Sequence, residues 1–473
     1  MLFNSFAFVL FFVIVTTALF ALPHRFRWAL LLASSCLFYM FFVPVYILIL
    51  AVTIVIDYLA GIWIEDSPDP RRKKLCLQIS VLSVCAVLFA FKYFNFFNAN
   101  VAAIAAALHW HYPIDALRIA LPIGLSFHTF QSLSYVIEVY RGKQKAERHF
   151  GIYALYVMYF PQLVAGPIER PQNLLHQFHE RKDFDLSRFQ DGLSLALWGL
   201  FKKVVIADSL ALYSDTVFNS STHHNGATLL LATYCFAFQI YCDFSAYSDI
   251  ARGVSRVYGI ELMKNFDAPY FSSSISEFWS RWHISLSTWF KDYVYFPLGG
   301  NRVPLLRNFF NLFVVFMLSG FWHGANWTFV VWGALHGVYL ICGRLLALAR
   351  KRFGWVSPEA GGPLRRLLAT AITFHLVLVA WVFFRAEKLS TAFDVVRRMV
   401  VPTGRVFWDP ILVQCALGVL IVTAGDWFIR RTDYFENLER FPVAFRFACS
   451  LSLLCGIALL GIEKGSQFIY FQF

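Results

Sequence analysis

Long apolar stretches separated by short polar segments run along the whole chain, and they predict a bundle of membrane-spanning helices. A helix that crosses a bilayer needs roughly 20 predominantly apolar residues. We count about 11 such spans plus one or two re-entrant pieces, all in a single domain over residues 1–473. The predicted spans cover residues 4–22, 28–42, 45–64, 75–96, 119–140, 190–208, 227–250, 367–384, 410–428 and 444–462, and two apolar arms flank His323 within 309–343.

Basic residues cluster in the loops between these spans, for example at 71–74 and 141–148. Placing these loops in the cytoplasm puts the N-terminus outside, as the positive-inside rule requires. The same alternation puts segment 385–409 outside, against the charge rule. Either the number of spans before this segment is miscounted, or an amphipathic interfacial helix occupies the segment. Its basic residues are Arg385, Lys388, Arg397, Arg398 and Arg405.

The apolar stretch 150–168 is interrupted by Pro161, Gly166 and Pro167, and both of its flanks are basic. A segment that enters and leaves the membrane on the same side fits both features. Because broken backbone at membrane depth is tolerated only where protein or a water-filled cavity surrounds it, the stretch is predicted to line a cavity.

Composition supports an integral membrane protein, since 58% of the residues are hydrophobic and only 15% are charged. Soluble domains carry about a quarter charged residues. The net charge of +12 resides in short loops and does not indicate nucleic-acid binding. The sequence lacks a phosphate-binding GxxxxGK[ST] loop, a GxSxG elbow, an HExxH motif and a cysteine cluster. ATP-driven transport, serine hydrolysis and zinc proteolysis are therefore unsupported, and no metal is expected.

The first candidate for chemistry is His323, which lies inside an apolar stretch. Ionisable groups at membrane depth are usually functional. Burial keeps an imidazole neutral, so that it can act as a general base near pH 7. Flanking glycines leave the ring accessible, and Trp322, Asn326 and Trp327 are candidates to orient it. The alternative is a histidine that only bonds a neighbouring helix.

Two further polar residues are candidates, each with a structural alternative. His283 follows Arg281 and is suited to polarise an acyl carbonyl or to orient His323, but aromatic-rich basic segments are also common interfacial anchors. Asp243 and Asp249 are six residues apart and do not share a helical face, so they are not an obvious acid/base pair. For Asp243 we favour structural pairing with Lys202, Lys203 or Arg252.

Several motifs are similar to those of the membrane-bound O-acyltransferase (MBOAT) family. In particular, the chain resembles the bacterial AlgI-like branch, which acetylates exported polysaccharides. The resemblance covers nearly the whole chain. The motifs are PIGLSFHTFQSLSY at 122–135, FPQLVAGPIER at 160–170, YCDFSAYSD at 241–249, FWSRWHISLSTW at 278–289, PLGGNR at 297–302 and WHGANW at 322–327.

The resemblance implies an all-α, polytopic helical bundle around a central tunnel, in the bacterial inner membrane. It implies His323 as the catalytic histidine, with His283 at a position that is Asn or Asp in many relatives. The donor would be acetyl-CoA from the cytoplasm, and Arg281, Lys291 and Arg302 are candidates to bind its phosphates.

The expected partner is a periplasmic SGNH-type acetyltransferase or a subunit of a polysaccharide-secretion system. Alginate, cellulose and peptidoglycan are all polymers that such relatives modify. Two other classes of function stay open at this point. One is a polytopic transporter or flippase that uses the same broken helices and buried polar groups. The other is a docking subunit of a secretion system without acyl chemistry.

Overall fold

The computed structural model describes residues 1–119, 121–354, 362–462 and 467–469. These residues form helices joined by turns and irregular segments, and no strand occurs among them. The predicted all-α, polytopic fold is confirmed. The central tunnel stays a prediction.

Contacts divide the chain into two compact units. Unit 1 comprises Met1–Ala196 and Ile250–Met263, and unit 2 comprises Leu197–Asp249 and Lys264–Phe473. That the whole chain is one domain stays a prediction. In chain order the helices are α1 (Phe6–Ala21), α2 (His24–Met40), α3 (Ile47–Asp66), α4 (Pro70–Leu88), α5 (Phe94–Ala107), α6 (Leu125–Tyr140), α7 (Phe150–Met158), α8 (Phe160–Leu163), α9 (Pro171–His179), α10 (Leu186–Phe201), α11 (Asp208–Asn219), α12 (Gly226–Val257), α13 (Ile275–Arg281), α14 (Ile284–Phe290), α15 (Leu305–His323), α16 (Trp327–Phe353), α17 (Pro363–Arg385), α18 (Leu389–Val400), α19 (Ile411–Thr432) and α20 (Val443–Leu460).

Eight helices of the described chain are long and apolar enough to cross a membrane, against about 11 predicted spans. Four predicted spans are not among these eight helices. The spans predicted at 4–22, 28–42 and 119–140 are helices of 16, 17 and 16 residues. The span predicted at 190–208 is divided between α10, which has 16 residues, and a π-helical stretch at Lys202–Ala207. The eight helices are Pro44–Asp66, Pro70–Ala107, Gly226–Val257, Leu305–His323, Trp327–Phe353, Pro363–Arg385, Ile411–Thr432 and Val443–Leu460.

In unit 1, the predicted break in segment 150–168 is present. Helix α7 ends at Met158 and α8 begins at Phe160, with a non-helical residue between them. Pro161 lies in the first turn of α8, where a missing N–H breaks no helical hydrogen bond. Every residue from 151 to 169 is buried. The broken backbone is thus surrounded by protein, while its role in lining a cavity stays a prediction.

Helix α6 lies inside unit 1, with 13 of its 16 residues buried although many of them are polar. The Nε2 atom of His128 is 2.7 Å from the Oγ1 atom of Thr53 on α3. The ring of Tyr135 packs so closely on Gly61 that a Cβ atom there would be 2.7 Å from it. Polar contacts and small residues of this kind hold helices together where lipid provides no hydrophobic driving force.

In unit 2, α15 and α16 form a tight helical hairpin. Its two helices approach closely at Gly320 and Gly333. A Cβ atom on Gly320 would be 2.3 Å from the carbonyl oxygen of Phe329, and one on Gly333 would be 2.3 Å from that of Phe316. Only glycine fits at such contacts. The hairpin places His323 at the end of α15, beside the turn.

Buried ion pairs in unit 2 join the stretch between α10 and α11 to α11 and α12. A stretch of π-helix at Lys202–Ala207 turns two successive lysines inward. The Nζ atom of Lys203 is 2.8 Å from a carboxylate oxygen of Asp208 and 2.7 Å from one of Asp243. Lys203 is thus the partner of Asp243, and it is one of the three candidates that the sequence suggested.

Two segments outside the predicted spans contain helices. Residues 209–219, in the loop implied between the predicted spans 190–208 and 227–250, belong to α11, because Leu210, Tyr213 and Val217 recur at helical spacing and are buried. Segment 385–409 contains α18, whose buried side chains are Ala392, Val395 and Met399. The amphipathic-helix interpretation of that segment agrees with the structure.

Candidate functional site

His323 is the last residue of α15 and is 4% exposed. Three aromatic rings surround its imidazole, with centroid distances of 4.9 Å to Trp322, 5.0 Å to Trp332 and 5.3 Å to Phe384. The carbonyl end of a helix carries partial negative charge, which stabilises a cationic side chain there. Aromatic faces also attract cations. The position therefore suits a base that becomes positively charged for a short time.

The turn after His323 is fixed by Asn326. Its Oδ1 atom accepts a hydrogen bond of 3.1 Å from the backbone N–H of Thr328 and so caps α16. Its Nδ2 atom donates a hydrogen bond of 3.0 Å to the carbonyl oxygen of Glu387. Asn326 thereby attaches the hairpin turn to the chain that leaves α17. Both ends of its amide bind backbone, and any further role near His323 stays a prediction.

His283 is fully buried between α13 and α14, and its backbone is left-handed with φ at +43°. Residues with a side chain rarely adopt this conformation, and those that do are concentrated at functional sites. Asn265 holds the turn in place. Its backbone oxygen accepts a 2.9 Å hydrogen bond from the N–H of Ile284. Its Oδ1 atom accepts one of 3.1 Å from the N–H of Ser285.

The contacts of Asn265 also define the tautomer of His283. The backbone N–H of Ser285 can only donate, so the amide atom facing it is an oxygen. The Nδ1 atom of His283 is 3.3 Å from the same oxygen, which favours the tautomer protonated at Nδ1. The Nε2 atom then carries the lone pair. Burial lowers the pKa of His283 to about 3, which keeps its ring neutral at physiological pH.

Trp322 joins the two histidines. Its ring centroid is 6.4 Å from that of His283 and 4.9 Å from that of His323. The structure therefore brings three sequence-predicted residues into one buried cluster. Trp327 differs from them, because it is 51% exposed. Asp243 forms an ion pair with Lys203, and its Oδ2 atom accepts a 2.7 Å hydrogen bond from the backbone N–H of Ile469.

The three cations predicted to bind phosphates have different surroundings. Arg281 is buried and pairs with Glu277, one helical turn away. Lys291 and Arg302 are exposed, so a ligand can approach them. No group of three or more His, Cys, Asp or Glu side chains able to hold a metal ion occurs in the described ranges. Phosphate binding by these cations and the expected independence from metal stay predictions.

The sequence did not indicate two buried neighbours of the cluster. His336 is fully buried on α16, and its Nδ1 atom accepts a 3.2 Å hydrogen bond from the indole N–H of Trp279. The ring of Trp332 contacts both His323 and His336, with 4.9 Å between the centroids of Trp332 and His336. The rule that selected His323, a histidine in an apolar span, would have found His336 as well.

Comparison with known proteins identifies relatives of this chain. The "MBOAT, membrane-bound O-acyltransferase family" profile matches residues 148–373. The chain is 40% identical over 394 residues to the probable alginate O-acetylase AlgI of Azotobacter vinelandii, covering 83% of this chain and 76% of that protein. It is 36% identical over 396 residues to the peptidoglycan O-acetyltransferase of Helicobacter pylori, covering 78% and 73%. A teichoic acid D-alanyltransferase of Bacillus subtilis is 29% identical over 276 residues, covering 56% and 69%.

A multi-pass helical membrane protein with these relatives is an acyltransferase. The chain belongs to the membrane-bound O-acyltransferase family. The resemblance seen in the sequence motifs is thereby confirmed. The identity of the acyl donor and acceptor is a separate matter.

Proposed function

We propose that the protein transfers an acetyl group from cytoplasmic acetyl-CoA to a hydroxyl group presented from the opposite side of the inner membrane. The observation that carries the proposal is the buried cluster of His283, Trp322 and His323 at the turn of the α15–α16 hairpin. Two relatives whose names describe O-acetyl transfer support an acetyl donor.

In the proposed reaction, His323 takes the proton from the acceptor hydroxyl, and the oxygen of that hydroxyl attacks the carbonyl carbon of the thioester. The carbon–sulfur bond then breaks, and the imidazolium returns its proton to the departing thiolate. An ester and free CoA result. The helix end and the three aromatic rings around His323 stabilise the imidazolium between these steps. Trp322, whose ring contacts both histidines, is proposed to donate a hydrogen bond to the oxyanion. The neutral His283 is proposed to hold Trp322 in place.

The acceptor is proposed to be an alginate-type polysaccharide or a periplasmic SGNH-type acetyltransferase that passes the group on. Relatives named as alginate O-acetylases support this type of polymer. A relative named as a peptidoglycan O-acetyltransferase supports peptidoglycan as the alternative polymer. Cellulose, also considered from the sequence, has no such support. On the donor side, Lys291 and Arg302 are proposed to meet the phosphates of CoA, since both are exposed. Arg281 would bind a CoA phosphate only if its ion pair with Glu277 were broken.

The central test is the substitution His323→Ala in purified protein reconstituted in lipid. Loss of a general base costs about 10²- to 10⁴-fold in rate, so thiol release from acetyl-CoA in the presence of acceptor should fall by that factor. His223→Ala is the matched control, because His223 is an exposed histidine of the same unit. Its rate should equal that of the wild type. A wild-type rate in His323→Ala would refute the assignment.

A further inference from the structure

Two buried ring nitrogens beside the histidine cluster have no hydrogen-bond partner among the described residues. They are Nε1 of Trp332 and Nε2 of His336. Both side chains are fully buried on α16. A buried polar group without a partner loses its hydrogen bonds to water and gains none in return. Such groups are rare in folded proteins, so these two require an explanation.

Both nitrogens are hydrogen-bond donors. The indole N–H of Trp279 can only donate, and it donates a 3.2 Å hydrogen bond to Nδ1 of His336. Nδ1 therefore carries the lone pair, and the proton of the neutral imidazole lies on Nε2. The indole nitrogen of Trp332 also only donates. An oxygen atom that accepts hydrogen bonds is thus the complementary group.

Other polar aromatic side chains in this part of unit 2 do find acceptors. Trp381, whose ring centroid is 6.2 Å from that of Trp332, donates a 3.2 Å hydrogen bond from its indole N–H to the hydroxyl oxygen of Tyr270. That hydroxyl donates one of 2.6 Å to the carbonyl oxygen of Ala237. Close packing of aromatic rings therefore does not by itself leave donors without acceptors, and the two donors on α16 differ from their neighbours.

The two donors lie close to each other and to the proposed base. Residues four positions apart share a face of an α-helix, and the ring centroids of Trp332 and His336 are 4.9 Å apart. The same ring of Trp332 is 5.0 Å from the imidazole of His323. A group that accepts hydrogen bonds from these donors would therefore be one aromatic ring away from His323.

The surroundings of the donors limit what can bind to them. Aromatic rings surround the imidazole of His336, with centroids 4.9 to 6.4 Å away, and they belong to Phe278, Trp279, Phe316, Trp332 and Tyr339. An ion would lose its hydration among these rings, whereas a small apolar group with one acceptor oxygen would not. The acetyl group of a thioester has this chemistry, since it consists of a carbonyl and a methyl group.

We propose that the N–H groups of Trp332 and His336 form a carbonyl site, which binds the carbonyl oxygen of the donor thioester beside His323. The carbonyl site specifies how the donor of the proposed acetyl transfer is held, and it rests on that function for the role of His323. The bound oxygen becomes the oxyanion when the acceptor attacks, and its hydrogen bonds strengthen as its charge grows. An oxyanion accepts several hydrogen bonds, so the site acts together with the donor proposed on Trp322.

The binding test uses two analogues of acetyl-CoA that cannot transfer an acyl group. One is a ketone in which a methylene group replaces the thioester sulfur, so the carbonyl oxygen is kept. The other is S-ethyl-CoA, which lacks that oxygen. One hydrogen bond changes affinity about tenfold, so the wild type in nanodiscs should bind the ketone about tenfold more tightly than S-ethyl-CoA. Isothermal titration calorimetry measures both dissociation constants.

Two substitutions of His336 separate the Nε2 donor from the packing of the ring. Asparagine places an amide atom near the position of Nδ1 but does not reach that of Nε2, so His336→Asn should lose the preference for the ketone. Glutamine carries an N–H group near the position of Nε2, so His336→Gln should keep a preference. The affinity for S-ethyl-CoA should be the same in both variants and in the wild type, which shows that each variant folds.

The second donor is tested by Trp332→Phe, which removes an N–H group and keeps an aromatic ring. This variant should also lose preference for the ketone. Trp427→Phe is the matched control, because Trp427 is a 55% exposed indole of the same unit, and it should bind both analogues as the wild type does. Equal affinity of the wild type for the two analogues would assign the donors to a bound water and overturn the proposal. An unchanged preference in both His336→Asn and Trp332→Phe would overturn it as well.

A rate measurement distinguishes the carbonyl site from a site that only supports the fold. Removal of one donor to an oxyanion lowers the turnover number about 10²- to 10³-fold. Thiol release by His336→Asn at saturating acetyl-CoA should fall by that factor, which exceeds the tenfold change in affinity. His336→Gln should recover part of the rate. An equal loss of rate in the two variants would contradict a role of the Nε2 donor.

A final arm separates the carbonyl site from the proposed acetyl transfer. His323→Ala should keep the preference for the ketone, because binding requires no proton transfer. If the wild type fails to consume acetyl-CoA but prefers the ketone through His336, only the proposed reaction fails. If it consumes acetyl-CoA and the preference is unchanged in His336→Asn and Trp332→Phe, only the carbonyl site fails.

Discussion

His283 shows how a single residue can be held in an unfavourable conformation for a purpose. Its left-handed backbone costs on the order of 1–3 kcal/mol, and the structure maintains it through the backbone and side chain of Asn265. The result is a buried ring with a defined tautomer next to Trp322. Strain that the surroundings preserve in this way is typical of residues that orient reacting groups.

This geometry leads to a prediction about pH. The pKa of His283 is lowered to about 3 by burial, so the residue stays neutral between pH 5 and 9. His283 therefore contributes no proton to an acid limb of the acetyl-transfer rate. His283→Gln should lower the rate by roughly 10²-fold through lost orientation while leaving this acid limb in place. Initial rates of thiol release across the pH range measure both effects.

Two results would contradict this prediction. One is an acid limb with the slope of two protons in the wild type. The other is disappearance of the limb in His283→Gln, which would make His283 the titrating base.

At the scale of single residues, the sequence reveals those whose chemistry conflicts with their surroundings. His323 and His283 stand out because an imidazole is unusual in apolar or aromatic segments. Asn265 does not stand out, because it lies in an irregular segment where polar residues are ordinary. Its role arises from a tertiary contact across 18 positions of chain. No local pattern encodes such a contact.

At the scale of elements, the α15–α16 hairpin is the part that positions the proposed base. The close approach of its helices depends on Gly320 and Gly333, and the cap of α16 by Asn326 fixes the turn between them. Such a hairpin behaves as one rigid body, so a shift in either helix moves His323. The aromatic rings around His323 come from α15, α16 and α17.

The substitution Gly320→Ala tests this dependence. Its Cβ atom would be 2.3 Å from the carbonyl oxygen of Phe329, so the helices must separate. Overpacking of this kind costs about 1–3 kcal/mol, and a displacement near 1 Å at the base costs about 10²-fold in rate. Gly343→Ala is the matched control, because nothing lies within 4 Å of a Cβ atom there. Thermal unfolding in detergent and thiol release should be affected only by Gly320→Ala. If the two variants have the same unfolding temperature and the same rate of thiol release, the close approach of α15 and α16 does not position His323.

Sequence patterns predict long apolar helices well and mixed helices poorly. Helices α3, α17 and α20 lie close to the predicted spans, because their hydrophobicity is continuous. Helix α11 was expected to be a loop, since six of its twelve residues are polar and interrupt its apolar side. Burial of that side requires partners from elsewhere in unit 2, which the local sequence does not show.

At the scale of the whole molecule, polar and apolar groups are distributed as a bilayer requires. Helix α20 is apolar, yet none of its residues is buried in the protein. Apolar surface of this extent would associate in water, whereas lipid covers it at no cost. Charges instead lie inside. Lys202 and Lys203 are both at most 2% exposed, and each meets a carboxylate of the same unit.

Interior charges of this kind make stability depend on complete pairing. The substitution Lys203→Met removes the cation between Asp208 and Asp243 and leaves two carboxylates in a dry environment. Breaking a buried pair in this way costs about 3–5 kcal/mol, so the variant should unfold at a clearly lower temperature in detergent. Lys351→Met, which alters an exposed lysine of the same unit, should leave the unfolding temperature unchanged.

A second substitution separates lost pairing from lost packing. In Lys203→Met/Asp243→Asn, one of the two uncompensated carboxylates is neutral, so part of the stability should return despite the second change. If the double variant is as unstable as the sum of its single variants, the lysine acts through packing. If Lys203→Met unfolds at the wild-type temperature, the buried charges do not determine the stability of unit 2.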